Sequence, residues 1–277
     1  MAININTNVA SMQAQIALDK NQQSLSSSFE KLSSGYRVNS AADDAAGLAI
    51  SENMKAQIRS FVVASRNAED AVSMTQTAEG ALAQVHDILG RMRELAMEAA
   101  NGSMGATDRG YLNNEFTSLQ SEIRRIQGST EFNGNKLLAT APMTTIFQVG
   151  LNNTGSDHIA VTFGGLSLST LLSATTNVAG AGATAALDAL GVIDGAIESV
   201  STSRASYGAV MNRMSVTINA INNMQTNLTA ANSRIRDVDV ASETAKMSQE
   251  QVLTQAGVAV LAQANQIPQE ALTLIKG

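Results

Sequence analysis

Two stretches of this sequence repeat apolar residues at alternating steps of three and four, and neither is interrupted by proline, which occurs only at 142 and 268. The first runs Leu82, Val85, Leu89, Met92, Ala96 and Ala99. That spacing is the seam of a coiled coil, in which one stripe of each helix faces a partner. The second is longer: Leu187, Leu190, Ile193, Ile197, Val200, Tyr207, Met211, Met214, Ile218, Ile221 and Leu228, with Arg204 and Gln225 as polar breaks. Traced back to Asp44 and forward to Ala100, the first stretch predicts a helix on the order of 80 Å long. Asn101–Gly102 closes it. Such a length exceeds an ordinary globular core and favours a long antiparallel helical hairpin.

Shorter elements fill the gaps. A first helix is predicted over about 8–32, carrying Val9, Met12, Ile16, Leu25, Phe29 and Leu32, with Gly35, Asn39 and Gly47 punctuating the segment after it. Thr107–Asp108 opens another, with Leu112, Phe116, Leu119, Ile123 and Ile126 on one stripe, ended by Gly128. The period then changes to two, and IFQVGLNNTGSDHIAVTF predicts strands over 145–151 and 158–163 around an Asn/Gly/Ser turn. Residues 165–186 are rich in Gly, Ala, Ser and Thr and predict a surface loop. Aromatic residues make up only 3% and Trp is absent, so core volume falls to aliphatic residues and the twelve methionines. Met74, Met92, Met97, Met211, Met214 and Met224 sit at core spacing and are expected to pack. The fold class is mainly α, a long antiparallel bundle with a small β-hairpin.

The two ends have a different character. From Met1 to Gln23 only Asp19 and Lys20 are charged, and none of VLTQAGVAVLAQANQIP, Val252 to Pro268, is. A solvated helix carries a charged face opposite its apolar stripe. Here amides and small residues take that place, which suits burial against copies of the same surface. Neither end is long and apolar enough to cross a bilayer, so membrane insertion is not expected. MAININTNVASM lacks the basic-then-apolar layout of a cleavable signal, so Sec-type export is not expected either.

Chemistry-bearing residues are scarce. With no Cys there is neither a disulfide nor a thiolate metal site, and a net charge of −6 leaves no basic stripe for nucleic acid. His86 and His158 are the only imidazoles, no HExxH pair occurs, and no glycine loop follows a strand as a phosphate cradle requires. Asp43–Asp44 are explained as a polar helix start rather than paired acids. No enzymatic activity, cofactor or metal is expected. In GRMRELAMEAANG, Gly90 to Gly102, two Arg and two Glu project between the seam positions. They suit either helical surface pairing or a contact surface shared with neighbouring copies.

NQQSLSSSFEKLSSGYRVNSAADDAAGLAISENM resembles the N-terminal signature of bacterial flagellin, and RNAEDAVSMTQTAEGAL with RMRELAMEAANG is similar to that family's next helix. STEFNGNKLL followed by FQVG resembles the approach to the family's β-hairpin. SRIRDVDVASETAKMSQEQVLTQAGVAVLAQANQIPQEALTLI resembles its C-terminus. The match spans about 1–165 and 187–275, in the family's order. It implies a discontinuous two-domain layout. Residues 1–42 and 238–277 would pair as an inner-tube coiled-coil domain with Val252, Leu253, Val260, Leu261 and Ile267 as assembly positions. Residues 43–237 would form an outer helical domain, with the β-hairpin near 138–165 and the loop 165–186 where many relatives insert outer domains.

The resemblance further implies a secreted filament subunit that polymerises with itself outside the cell for swimming motility. It implies type III export and partners in an export chaperone, a cap protein and hook–filament junction proteins. Arg91, Leu95 and Glu115 match, type for type, family positions that contact the vertebrate flagellin-sensing Toll-like receptor and the next subunit along the filament axis. The other expectation is a hook–filament junction protein or a minor flagellin. A signalling hairpin of Ala- and Met-rich helices would need membrane spans or charged methylation helices, and the sequence has neither pattern.

Overall fold

The computed structural model describes residues 7–166, 168–173, 175–180 and 182–276, with side chains as far as Gln266. Five helices dominate: α1 (Val9–Ser34), α2 (Ala45–Ala99), α3 (Ala106–Ser129), α4 (Thr184–Arg236) and α5 (Val240–Lys276). Between α3 and α4 lie β1 (Glu131–Phe132), β2 (Asn135–Lys136), β3 (Met143–Gln148) and β4 (His158–Phe163). The chain forms two compact units, one of residues 1–58 with 226–277, the other of residues 59–225. The divisions fall inside α2 and α4 rather than at the turns near 43 and 237. The first turns of α2 and roughly the last three turns of α4 stay with the termini, and Arg236 is bound to Glu52 there at 2.5 Å.

In the unit 59–225 the seam residues Leu82, Val85, Leu89, Met92, Ala96 and Ala99 are all buried. Ion pairs fix how α4 runs beside α2: Arg93 with Asp194 at 2.7 Å, and Arg204 with Glu79 at 2.8 Å. Moving back along α2 means moving forward along α4, so the two are antiparallel. The α4 seam starts one residue off the predicted stripe. Ala186, Ala189, Ile193, Ala196 and Val200 are buried while Leu187 is exposed. The Met prediction divides similarly: Met74, Met92 and Met214 are buried, but Met97 and Met224 are exposed. Tyr207 lies 5.6 Å from the ring of Phe163 on β4, and burial raises its phenol above the usual range.

The predicted hairpin is present as an antiparallel β3–β4 pair running from Met143↔Phe163 to Gln148↔His158. A smaller one precedes it. Asn133 and Gly134 both take positive φ (48° and 80°), the primed turn that Asn-Gly favours, and pair β1 with β2. Arg109, though buried, finishes α2: its Nε donates to Ala99 O at 2.8 Å and its Nη2 to Asn101 O at 3.0 Å. A cation on the last carbonyls of a helix also meets the negative end of its dipole.

Where it is described, the segment predicted as a surface loop over 165–186 is instead a packed strap, and from Thr184 it is already α4. Leu166, Leu168, Leu171 and Val178 are buried, and the buried amide of Gln120 on α3 donates to Leu171 O at 2.7 Å and Thr176 O at 2.9 Å. Its small polar residues turn the chain while four aliphatic side chains anchor it. Gln120→Leu therefore strands two carbonyls and is expected to lower unfolding stability by about 1–3 kcal/mol. Urea unfolding gives the magnitude, and hydrogen exchange should place the loosening at 168–178 rather than along α2.

Candidate assembly surfaces

In the unit that holds both termini, α1 and α5 pair antiparallel. Asn8 caps α1 by accepting from Ser11 N at 3.0 Å, and its Nδ2 donates across to Ala264 O at 2.8 Å. Ser11 Oγ donates to Asn265 Oδ1 at 2.8 Å, and buried Ser28 Oγ to Glu250 Oε2 at 3.0 Å. Lys246 stands 3.7 Å from Glu243 and 4.0 Å from Glu250. Gly257 lets the backbones close: a Cβ there would come within 3.3 Å of Leu18 Cδ1.

The sheltered positions of α1 include Ser11, Ala14, Leu18, Asn21, Leu25, Ser28 and Leu32, a regular heptad. Those of α5 include Glu243, Met247, Glu250, Thr254, Gly257, Leu261 and Ala264 at the same spacing. This seam is rich in polar and small residues. Larger apolar side chains lie off it. Val9, Met12 and Ile16 face away on α1, with Ile16 64% exposed; on α5, Val252 is 64% and Val260 58% exposed, with Leu253 and Val258 also open. Of the expected inner-tube positions, Val252, Leu253 and Val260 are thus exposed, Leu261 faces α1 in the seam, and Ile267 lies outside the described side chains. Val9, Met12 and Ile16 escaped that expectation because their helical spacing reads equally well as core.

The second surface is on the unit 59–225. Arg91 Nε donates to Glu115 Oε1 at 2.8 Å and its Nη1 to Glu94 Oε2 at 2.9 Å, so α3 lies alongside α2 here. Hydrogen bonding to Glu115, then to Glu94, holds the guanidinium above its ordinary range. Arg93, two residues on, projects toward α4, and its bond to Asp194 raises it too. Leu95, one turn along α2 from Arg91, is buried at 1% exposure. Arg91 and Glu115 are therefore the accessible members of the expected contact, and Tyr111, one turn from Glu115 on α3, is exposed as well.

The sequence's other polar candidates have local structural work. Asp43 accepts from Asn39 N and Ser40 N, and the Ser40 backbone bond is the main cause that lowers its carboxyl below the usual range. Asp44 Oδ1 accepts from Gly47 N at 2.8 Å at the head of α2. His158 pairs with Gln148 at the hairpin's turn end, and His86 is half-buried on α2. Among the described residues no helix is long and apolar enough to cross a membrane.

The family model for the bacterial flagellin N-terminal helical region matches residues 5–142, and that for the C-terminal helical region matches residues 190–275. The chain is similar to a flagellin of Halalkalibacterium halodurans, 45% identical over 273 residues that cover 98% of this chain and 99% of that one. It is also similar to a flagellin of Bacillus subtilis, 43% identical over 302 residues and covering 98% and 99%. The fold resembles the solved structure of a putative flagellar hook-associated protein from Vibrio parahaemolyticus, with a TM-score of 0.59 at 14% identity, covering 70% of this chain and 100% of that one.

Proposed function

The chain belongs to the bacterial flagellin family and is a structural subunit of the flagellar filament; on that premise we propose that its terminal helices form the filament's inner tube and order fully only on assembly. The observation that carries this reading is the apolar surface of α1 and α5 that lies off their mutual seam: Val9, Met12, Ile16, Val252 and Val260. Burying one such side chain contributes about 1.5–3 kcal/mol. Other subunits are the natural source of that cover, since a repeated head-to-tail contact that does not close builds a helical polymer. A terminal pair that is completed only then would open readily, and the chain would pass unfolded through a type III export channel. Before export an export chaperone would cover those ends, and the cap and junction proteins would meet them at the filament's two limits. The junction reading has less support, because both flagellin family models match and a flagellin is 45% identical over 98% of this chain.

Val260→Asp tests the inner-tube reading more cleanly than Leu261→Asp, which would disturb the α1–α5 seam itself. Val260 is exposed in the subunit, so the monomer should keep its fold while the buried charge blocks the polymer. Seeded sedimentation should find almost no polymer from this variant. An unchanged critical concentration would remove Val260 from any interface.

We further propose that Arg91 and Glu115 form a docking surface used both by the next subunit along the axis and by the vertebrate flagellin-sensing Toll-like receptor. Leu95, buried one turn along α2 from Arg91, would act by seating that turn against α3. One surface serving two partners means that monomer activates the receptor and intact filament is nearly silent. Arg91→Asp puts a carboxylate opposite Glu115 and Glu94 and should weaken signalling and assembly together. Reporter cells exposed to monomer, washed filament and variant monomer measure this. Full-strength signalling by the variant would remove Arg91 from the receptor surface.

A further inference from the structure

The connections leaving α1 and α4 are zipped to each other. Arg37 N donates to Arg236 O at 2.6 Å and Val238 N to Gly35 O at 3.0 Å, framing an isolated antiparallel bridge between Tyr36 and Asp237. The guanidinium of Arg37 donates to Ile235 O. Arg236 closes the arrangement with its side chain: Nη1 bonds Glu52 Oε1 at 2.5 Å and the guanidinium lies 4.4 Å from the centroid of the Tyr36 ring. Its Nε is buried without a hydrogen-bond partner, so the ring and the carboxylate hold it. Three elements converge on one side chain: the connection after α1, the start of α2 and the end of α4.

The pairing at this bridge continues into the terminal helices. Moving away from Tyr36–Asp237, Leu18 meets Gly257 and Ser11 meets Asn265 within about one helical turn of the bridge's own register, and Ser28 meets Glu250 within about one and a half. Along the α1–α5 seam that register is marked by separate polar contacts, Ser28 with Glu250, Ser11 with Asn265 and Asn8 with Ala264 O, set among small residues. Its positions include Ser11, Ala14, Ser28, Thr254, Gly257 and Ala264, small side chains that differ little when one helix slides along the other. Coiled coils that must choose one register do so with a specific polar contact.

We propose that Arg236 is a positioning residue for polymerisation, clamped between Tyr36 and Glu52 so that the bridge sets the register in which α1 and α5 pair. The inference rests on the reading that the α1–α5 pair builds the filament. Arg236→Gln keeps a polar side chain but removes the charge and the planar fork. An engineered crosslink can replace the clamp, because the native chain has no Cys to compete. Tyr36 and Asp237 form the non-hydrogen-bonded kind of antiparallel pair, with Cα atoms typically about 4.5 Å apart. That falls within the roughly 4.4–6.8 Å span of disulfides.

The experiment is seeded polymerisation of the full chain, with hydrogen exchange over 61–99 as the check on the other unit's core. Arg236→Gln should raise the critical concentration roughly tenfold or more and leave exchange over 61–99 unchanged. Adding Tyr36→Cys and Asp237→Cys to that variant should restore assembly when oxidised and lose it again on reduction, which a general loss of stability would not do. The clamp is overturned if Arg236→Gln polymerises like the parent, or if exchange over 61–99 rises with it. It is equally overturned if the oxidised crosslink, with or without Arg236, fails to support assembly. A parent chain that does not extend seeds overturns the filament reading itself, a failure separate from that of Arg236.

Discussion

A helix can satisfy one partner with one stripe, and the terminal helices of this chain carry more apolar surface than a single partner covers. The α1–α5 seam uses Leu18, Leu25 and Leu32 on one side, with Met247 and Leu261 on the other. That leaves Val9, Met12, Ile16, Val252 and Val260 outward. Charged residues would relieve such a surface in water, and the ends almost lack them. The fold is finished in one unit and unfinished in the other. Residues 59–225 close their core with α3, the hairpin and a strap, while the terminal pair keeps open faces that only further copies of the chain would complete.

The same contrast governs the polar groups. In the unit 59–225 buried polar side chains finish local structure: Arg109 caps α2, and Gln120 ties the strap to α3. In the terminal unit polar groups run along the pairing surface itself, at Ser28 and Glu250, at Ser11 and Asn265, and at the Tyr36–Arg236–Glu52 cluster. Hydrogen bonds between such groups add little net stability each but are costly to leave unmade. They therefore suit the choice of one register better than strong adhesion. Adhesion is left to the apolar residues outside the seam.

Helix positions, their antiparallel order and the β3–β4 hairpin were legible in the sequence, because proline-free heptads and a period-two stretch leave few alternatives. Which stripe faces which partner was not. Val9, Met12 and Ile16 have the spacing of a core and prove to be outward, since periodicity reports that a stripe exists without saying what covers it. The real seam of α1 was hidden because Ser11, Asn21 and Ser28 do not register as apolar. Leu187 missed the α4 core by one residue because Ala186 and Ala189 fill it instead. The strap before α4 read as a loop from its Gly, Ser and Thr content, and its four buried aliphatic anchors, Leu166, Leu168, Leu171 and Val178, were too sparse to form a period. The Arg91–Glu115 pair could be placed only once α3 was known to lie against α2.

The central claim is that the outward apolar faces of α1 and α5 are subunit contacts, and a helical reconstruction of seeded filaments by electron cryo-microscopy tests it most directly. The predicted result is that Val9, Met12, Ile16, Val252 and Val260 pack against neighbouring copies in a continuous inner tube, with α1 and α5 paired as they are within one chain. A filament in which those side chains face solvent, or in which subunits meet only through residues 59–225, would contradict it.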